Sequence, residues 1–141
     1  MRAPSSAGPT SLPVKPLALG GGLALVIATF LPWISGEGVS ANALDIPIQT
    51  LWDLNADDGP IKIGFVLLAL GAAAAGLSFM PRTNAIRRIC GSVALAIVLG
   101  FTLQLYRSVD LAGGSVGDVL STIGVGVYIA LAGAIVTQVS K

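Results

Sequence analysis

Four long apolar segments constrain what this chain of 141 residues can fold into. Each segment approaches the ~20 residues that cross a bilayer core as a helix. Charged residues make up 11% of the chain, whereas a soluble domain carries about 25%, so the charges are too few to cover a soluble surface. The sequence therefore predicts an all-α membrane protein with four transmembrane helices, at residues 17–34, 61–80, 89–106 and 119–139.

Prolines and an aromatic residue mark the predicted helix ends. Pro16 lies at a first helical position, where a missing N–H costs little, and Pro81 ends the second helix. Trp33 lies at the end of the first segment, where an amphipathic ring prefers the membrane interface. Two regions follow from these boundaries: a flexible cytoplasmic tail at residues 1–16 and a four-helix transmembrane domain at residues 17–141.

The charges of the connecting segments predict the orientation. Basic residues precede the first helix, crowd the link between the second and third, and end the chain: Arg2, Lys15, Arg82, Arg87, Arg88 and Lys141. All seven acidic residues lie in the other two connections. Because positive charge marks the cytoplasmic side, we expect both termini in the cytoplasm. The chain would be a multi-pass protein of the cell membrane, with its larger external loop at residues 35–60.

The run "SANA" offers an alternative for the N-terminus. Arg2, Lys15, the first apolar segment and this run also fit a secretory signal peptide cleaved after Ala43. The apolar segment is longer than the about 7 to 15 residues usual in such a signal, and the run lies some distance beyond it. Retention of the first helix is therefore the favoured interpretation, while cleavage would leave three helices and an external N-terminus.

Composition excludes several classes of function. The chain contains no histidine and one cysteine, Cys90, which excludes histidine-based catalysis, histidine metal sites and an internal disulfide. The sequence has no basic stripe of the kind that binds nucleic acid. No ionisable side chain lies deep in an apolar segment, which argues against ion-coupled transport. We therefore expect no enzyme activity, no cofactor or metal site, and no nucleic-acid partner.

Two clusters are candidates for interaction. On the external side, a predicted partner surface consists of Trp33, Trp52, Asp53, Asp57 and Asp58. Its carboxylates do not follow the spacing of a calcium-binding loop, and a solvated face explains them as well. The cytoplasmic cluster, which sets the orientation and is a candidate for contact with anionic lipid headgroups, consists of Arg82, Arg87 and Arg88.

Small residues recur at every fourth position in all four segments. Such spacing lets helix backbones approach closely and gain van der Waals contact. It predicts either a dimerisation face or packing within the bundle, and the abundance of Gly and Ala favours packing. The sets are Gly20, Ala24 and Ala28; Ala72 and Gly76; Ser92, Ala96 and Gly100; and Gly126, Ala130 and Ala134.

Three stretches carry a resemblance to a known group of proteins: "ATFLPWISGEG", "DDGPIKIGFVLLALGAAAAGL" and "GVGVYIALAGAIV". The chain resembles small four-helix membrane proteins of actinobacteria. Those proteins carry Leu-Pro-Trp at the exit of the first helix, Asp-Gly before the second, and a glycine-led last helix with an aromatic residue. The resemblance covers most of residues 17–139 and implies the topology but no reaction. The matching positions are Leu31, Pro32, Trp33, Asp58, Gly59, Gly124, Gly126 and Tyr128.

The expected function is interaction rather than catalysis. We expect an accessory or stabilising subunit of an envelope complex, or a self-associating bundle, whose partners are the lipid bilayer and other membrane proteins or further copies of itself. The alternative is a pore-forming or holin-like protein that permeabilises membranes. A pore needs a polar face along a helix, and the third segment offers Ser92, Thr102 and Gln104.

Overall fold

The computed structural model of the chain describes residues 15–36, 38–53 and 59–140. Over these ranges the chain forms five α-helices, one 3₁₀ helix and a two-stranded antiparallel sheet. α1 packs between α2 and α5, and α3 packs against α5 and α2. In chain order the elements are α1 (Pro16–Phe30), β1 (Pro32–Gly36), β2 (Val39–Asn42), the 3₁₀ helix (Ile48–Leu51), α2 (Ile63–Leu77), α3 (Asn84–Leu111), α4 (Val116–Thr122) and α5 (Val125–Val139).

The prediction of four transmembrane helices is wrong. Among the helices that the structure describes, only α3 is long and apolar enough to cross a membrane. α3 has 28 residues and extends beyond the predicted segment at both ends, whereas α1, α2 and α5 have 15 residues each. At 1.5 Å per residue, a helix of 15 residues is about 22 Å long, which is less than the ~30 Å thickness of a bilayer core.

The first predicted segment is shortened because the chain leaves the helix at Leu31. Leu31 is extended, with φ −87° and ψ 156°, and Pro32 has no N–H with which to continue the helical hydrogen bonds. The chain from Pro32 to Gly36 then forms β1. The last apolar residues of the segment therefore belong to a strand rather than to a helix.

A strand contact divides the fourth predicted segment into two helices. Ile34 forms an isolated β-bridge with Ile123, and the Gly124 N–H donates to the Trp33 carbonyl over 2.8 Å. A Cβ added to Gly124 would collide with the Pro32 carbonyl oxygen, so only glycine permits this approach. α4 ends and α5 begins at this point, and the expected continuous helix does not form.

Glycines bring the backbone of α1 into close contact with two neighbouring helices. A Cβ added to Gly22 would lie 2.8 Å from the Gly71 carbonyl oxygen of α2. On the other side of α1, a Cβ added to Gly21 would lie 2.9 Å from the Gly133 carbonyl oxygen of α5. Because backbones this close share many atom pairs, the helices gain dispersion energy without large side chains between them.

The predicted sets of small residues coincide only in part with these contacts. The set on α5, Gly126, Ala130 and Ala134, is buried. Most members of the other three sets are exposed: Gly20, Ala72, Gly76, Ser92 and Ala96. Gly and Ala occur at many registers of these helices, so a spacing of four does not by itself identify the face that packs.

The described residues between α1 and α2 form a small cap over one end of the bundle. β1 and β2 pair antiparallel, with Ile34 opposite Ala41. In the turn between them, Gly38 has φ +77°, a left-handed conformation that glycine adopts without a side-chain clash. The 3₁₀ helix then packs on α3, where the Gln104 side-chain amide donates to the Leu51 carbonyl over 2.5 Å.

Candidate interaction surfaces at the two ends of the bundle

Charged side chains divide between the two ends of the helix bundle. One end, which we call the acidic end, carries the cap and α4 together with the described carboxylates Asp45, Asp53, Asp110 and Asp118. The opposite end, where α1 begins and α5 ends, is the basic end and carries Lys15, Arg82, Arg87 and Arg88. Among the described residues, the basic side chains of the acidic end are Lys62 and Arg107.

Trp33, expected at the membrane interface, is buried at the acidic end. Its indole N–H donates to the Ala28 carbonyl over 2.8 Å. In a continuous helix that carbonyl would accept from the residue four positions on, which is Pro32 and has no N–H. The ring also meets Phe101 edge-on, with ring centroids 5.2 Å apart. Trp33 therefore completes the end of α1 and presents no surface to a partner.

Trp52 and Asp53 follow the 3₁₀ helix and are exposed. Trp52 exposes 67% of its surface, which is unusual for the largest apolar side chain in a folded chain. Asp57 and Asp58, the other acidic members of the predicted partner surface, lie outside the described residues. Of the five predicted members, the structure thus places Trp52 and Asp53 on the outside of the cap and Trp33 in the core.

A cavity of about 180 Å³ lies between β1, the 3₁₀ helix and α3. It is smaller than the roughly 300–1,000 Å³ of sites for drug-sized ligands. Gln104, considered above as part of a pore lining, instead uses its amide to hold the 3₁₀ helix at the edge of this cavity. The lining residues are Ile34, Thr50, Phe101, Gln104, Leu105 and Ser108.

Asp118 organises the start of α4 at the acidic end. The backbone N–H of Ser115 donates to the Asp118 carboxylate over 2.6 Å, and the Ser115 hydroxyl donates to it over 3.1 Å. These two hydrogen bonds, the backbone one first, hold the pKa of Asp118 below the ordinary value for an aspartate. The carboxylate also suits the positive end of the α4 dipole.

Arg87 is the buried member of the predicted basic cluster. Its Nη2 donates to the Asn84 Oδ1 over 2.9 Å and to the Ser140 carbonyl over 3.3 Å. Lys15 Nζ donates to the same Asn84 oxygen over 2.5 Å. Two cations therefore converge on one neutral amide oxygen, at the point where α1 begins, α3 begins and α5 ends.

The other two arginines of the cluster are exposed and do not join this contact. Arg82 lies in the turn before α3 with φ 65°, and Arg88 lies on the outer side of α3. Sequence reasoning missed the partners of Arg87, which are Asn84 and the Ser140 carbonyl. A signal for its burial was present, because Arg87 precedes buried residues of α3 at helical spacing.

Comparisons with known proteins give no relative from which a function could be transferred. The chain matches no protein-family model, no curated protein and no solved structure. Within the described part of the chain, no group of three or more His, Cys, Asp or Glu side chains is arranged to hold a metal ion.

Proposed function

We propose that the protein is a small integral membrane protein that acts by interaction, either as an accessory subunit of a cell-envelope complex or as a self-associating bundle. The observation that carries this proposal is the position of its large apolar side chains, which cover the outside of the helices while glycine and alanine fill many helix contacts. On α1 alone, the exposed large apolar residues are Leu17, Leu23, Ile27 and Phe30.

The same distribution continues on the longest helix. Among the large apolar residues of α3 that expose 41% or more of their surface are Ile86, Ile89, Val93, Leu99 and Leu103. A monomeric soluble protein rarely exposes a contiguous apolar patch larger than a few hundred Å². Lipid removes the cost of such a surface, because its tails are as apolar as these side chains. The exposed surface therefore supports insertion into a bilayer.

We propose the cell membrane as the location. α3 is long and apolar enough to cross a bilayer. The shorter apolar helices α1, α2 and α5 pack beside it or beside one another, and in the proposed arrangement their exposed apolar faces also lie in lipid. The separation of the basic end from the acidic end supports an orientation with the basic end in the cytoplasm.

Trp52 is the proposed centre of the contact with a protein partner. It is exposed on the cap, beyond the end of the bundle, and Asp53 follows it. Tryptophan is enriched at protein interfaces and at their energetic hot spots, since it buries a large area with little loss of conformational freedom. Trp33, being buried, is left out of the proposed contact.

The hydrogen bonds of α3 argue against the alternative function, a pore. The Thr102 hydroxyl donates to the Val98 carbonyl of its own helix over 2.8 Å, and the Gln104 amide donates to the Leu51 carbonyl. These side chains are engaged within the protein, so they do not supply the continuous polar face that a water-filled pore requires. We also propose that the protein is not an enzyme, and the lack of histidine, which excludes histidine-based catalysis, supports this proposal.

A relationship to the small actinobacterial membrane proteins with a Leu-Pro-Trp motif is part of the proposal. Its support is that four of the matching positions meet in one contact. The Gly124 N–H donates to the Trp33 carbonyl, and a Cβ on Gly126 would lie 2.9 Å from the Pro32 carbonyl oxygen. Positions that depend on each other in this way are expected to occur together in related chains.

Site-specific photo-crosslinking in intact cells of the native host tests the proposal. A photoreactive amino acid replaces Trp52 in one variant. Two controls carry it at positions of similar exposure, Leu99 on α3 and Phe79 at the basic end. We expect position 52 to capture a protein, either a partner or a second copy, and position 99 to capture lipid.

Three outcomes test the proposed contact at position 52 and the membrane location. A protein adduct at position 52 that is absent at position 79 supports the proposed contact. Lack of any protein adduct at position 52 contradicts it. Release of the full-length chain from membranes by alkaline carbonate, with no lipid adduct at position 99, contradicts the membrane location itself.

A further inference from the structure

Two of the three side-chain nitrogens of Arg87 are buried without an acceptor among the described residues. The side chain is fully buried, and its Nε and Nη1 atoms have no hydrogen-bond partner within the part of the chain that the structure describes. Arginine cannot remove this cost by losing its proton, because the guanidinium stays protonated in proteins. A buried charge of this kind is stabilised only by a counter-ion or by further hydrogen-bond acceptors.

Among the described residues, the surroundings of Arg87 supply positive charge rather than a counter-ion. Lys15 Nζ contacts the same Asn84 oxygen as Arg87 Nη2. The described carboxylates all lie at the acidic end of the bundle. The acceptors that Arg87 does have, the Asn84 oxygen at 2.9 Å and the Ser140 carbonyl at 3.3 Å, both bind Nη2. Among the described residues, the other two nitrogens have no acceptor.

The start of α3 adds a third source of positive potential at the same place. Thr83 occupies the N-cap position, but its hydroxyl donates to the Leu77 and Met80 carbonyls instead of accepting from the helix. The first turn of α3 contains no acidic residue. Its backbone N–H groups and the helix dipole therefore favour an anion at this end. Arg87 reaches back to Asn84 at the first position of the helix, so the guanidinium and the helix start act on one region.

We propose that the first turn of α3, with Arg87 and Lys15, binds a phosphate group, which we call the phosphate site. A phosphate offers several oxygens, which match the fork of guanidinium donors and the N–H groups of a helix start. The Arg87 Nε and Nη1 atoms would donate to it, and the Lys15 ammonium would add charge. The phosphate belongs either to the headgroup of an anionic lipid or to a free phosphate ion.

The phosphate site lies close to the protein surface. Asn84, which bonds the Arg87 guanidinium, is itself exposed, and Lys15 is half-buried. The guanidinium thus lies one hydrogen bond below the surface of the basic end. Movement of the Asn84 and Lys15 side chains would open a path for a phosphate oxygen to Arg87.

The lipid source rests on the membrane location proposed above, whereas the phosphate chemistry does not. In the proposed orientation the basic end faces the cytoplasmic leaflet, whose anionic lipids attract such a cluster. The exposed Arg82 and Arg88 would then strengthen the attraction over a longer range. Crosslinking at position 52 concerns the opposite end of the bundle, so the two proposals fail independently.

Binding is measured on the purified full-length protein in an uncharged detergent. Native mass spectrometry and thermal unfolding are recorded with added phosphatidylglycerol, with phosphatidylcholine and with inorganic phosphate. We expect phosphatidylglycerol or inorganic phosphate to bind and to raise the unfolding temperature, and phosphatidylcholine to have little effect. Arg87→Gln should weaken binding by at least about tenfold, because it removes charge-assisted hydrogen bonds. Arg88→Gln, which alters an exposed neighbour, should weaken it by less than about twofold.

A second variant covers the case in which Arg87→Gln does not fold. Arg87→Lys keeps the charge but loses the fork of donors, and we expect it to bind phosphate at least about tenfold more weakly. Binding of phosphatidylglycerol alone assigns the site to lipid, and equal binding of inorganic phosphate assigns it to the free ion. If neither anion binds the wild-type protein, or if Arg88→Gln loses as much binding as both Arg87 variants, the phosphate site is wrong.

Discussion

Replacement of Trp33 by phenylalanine tests the account of how α1 ends. The indole N–H supplies the hydrogen bond that Pro32 cannot give to the Ala28 carbonyl. In the variant, this carbonyl keeps only the longer bond of 3.3 Å from the Leu31 N–H. The aromatic contact with Phe101 survives in part, because a six-membered ring remains at position 33.

The expected cost follows from two contributions. Loss of one buried hydrogen bond costs about 1 kcal/mol, because the acceptor is partly satisfied by Leu31. The smaller ring leaves part of a closed pocket empty, which adds about 1–2 kcal/mol by comparison with other large-to-small changes. Trp33→Phe should therefore lower the free energy of unfolding by about 2–3 kcal/mol.

Trp52→Phe is the matched control, since the same chemical change is made at a side chain that is 67% exposed. Its effect should stay within about 0.5 kcal/mol. Unfolding is followed by far-ultraviolet circular dichroism in a mild detergent. The chain has two tryptophans, so each variant retains one, and acrylamide should quench only the one at position 52. Equal losses of stability in the two variants would refute the role given to Trp33.

Three further changes test separate contacts. Gly126→Ala should lower the free energy of unfolding by about 1–3 kcal/mol in thermal unfolding, because its Cβ would lie 2.5 Å from Trp33 Cδ1. The control Gly76→Ala adds a Cβ that meets no atom within 4 Å, and it should be neutral or slightly stabilising. Equal effects of the two changes would contradict the close contact between Gly126 and Trp33. The pKa of Asp118 in the folded protein is depressed. Its stabilisation of α4 is therefore complete at pH values above the ordinary carboxyl range and is lost as the pH falls through the folded pKa. The NMR chemical shifts of α4 should follow this loss in the wild type but not in Asp118→Asn. Gln104→Ala should raise amide hydrogen exchange in the 3₁₀ helix while α2 and α5 stay protected, and unchanged exchange would exclude the proposed tether.

Apolar runs locate the helices of this protein but not their ends. Each predicted segment contains a helix, because a long run of apolar residues buries its backbone polar groups most readily in helical hydrogen bonds. The ends depend on contacts between distant parts of the chain, such as the bridge of Ile34 with Ile123 that separates α4 from α5. Segment length alone therefore overestimates how much of each run is helical, and it led to the wrong count of spanning helices.

The basic cluster illustrates the same limit at a candidate site. Arg87 and Arg88 are adjacent in sequence, and neighbouring helical residues point about 100° apart. Arg87 can therefore face the bundle while Arg88 faces outward, although a count of charges in the sequence does not distinguish them. The pattern of Arg87 with the buried residues Cys90, Gly91 and Ala94 predicts which arginine turns inward. The approach of Lys15 and Ser140 to it depends on how three helix ends meet, which no local pattern contains.

The Pro-Trp pair and the glycines of the last helix form one structural unit, although about ninety residues separate them. Proline at position 32 leaves the Ala28 carbonyl without its helical donor, and the Trp33 indole replaces that donor. This placement sets the indole ring against α5, where a Cβ on Gly126 would lie 2.5 Å from it. The Trp33 carbonyl in turn accepts from the Gly124 N–H. A chain that keeps Pro-Trp at the end of its first helix therefore needs small residues at the start of its last helix. A substitution at either place should alter the packing at the other.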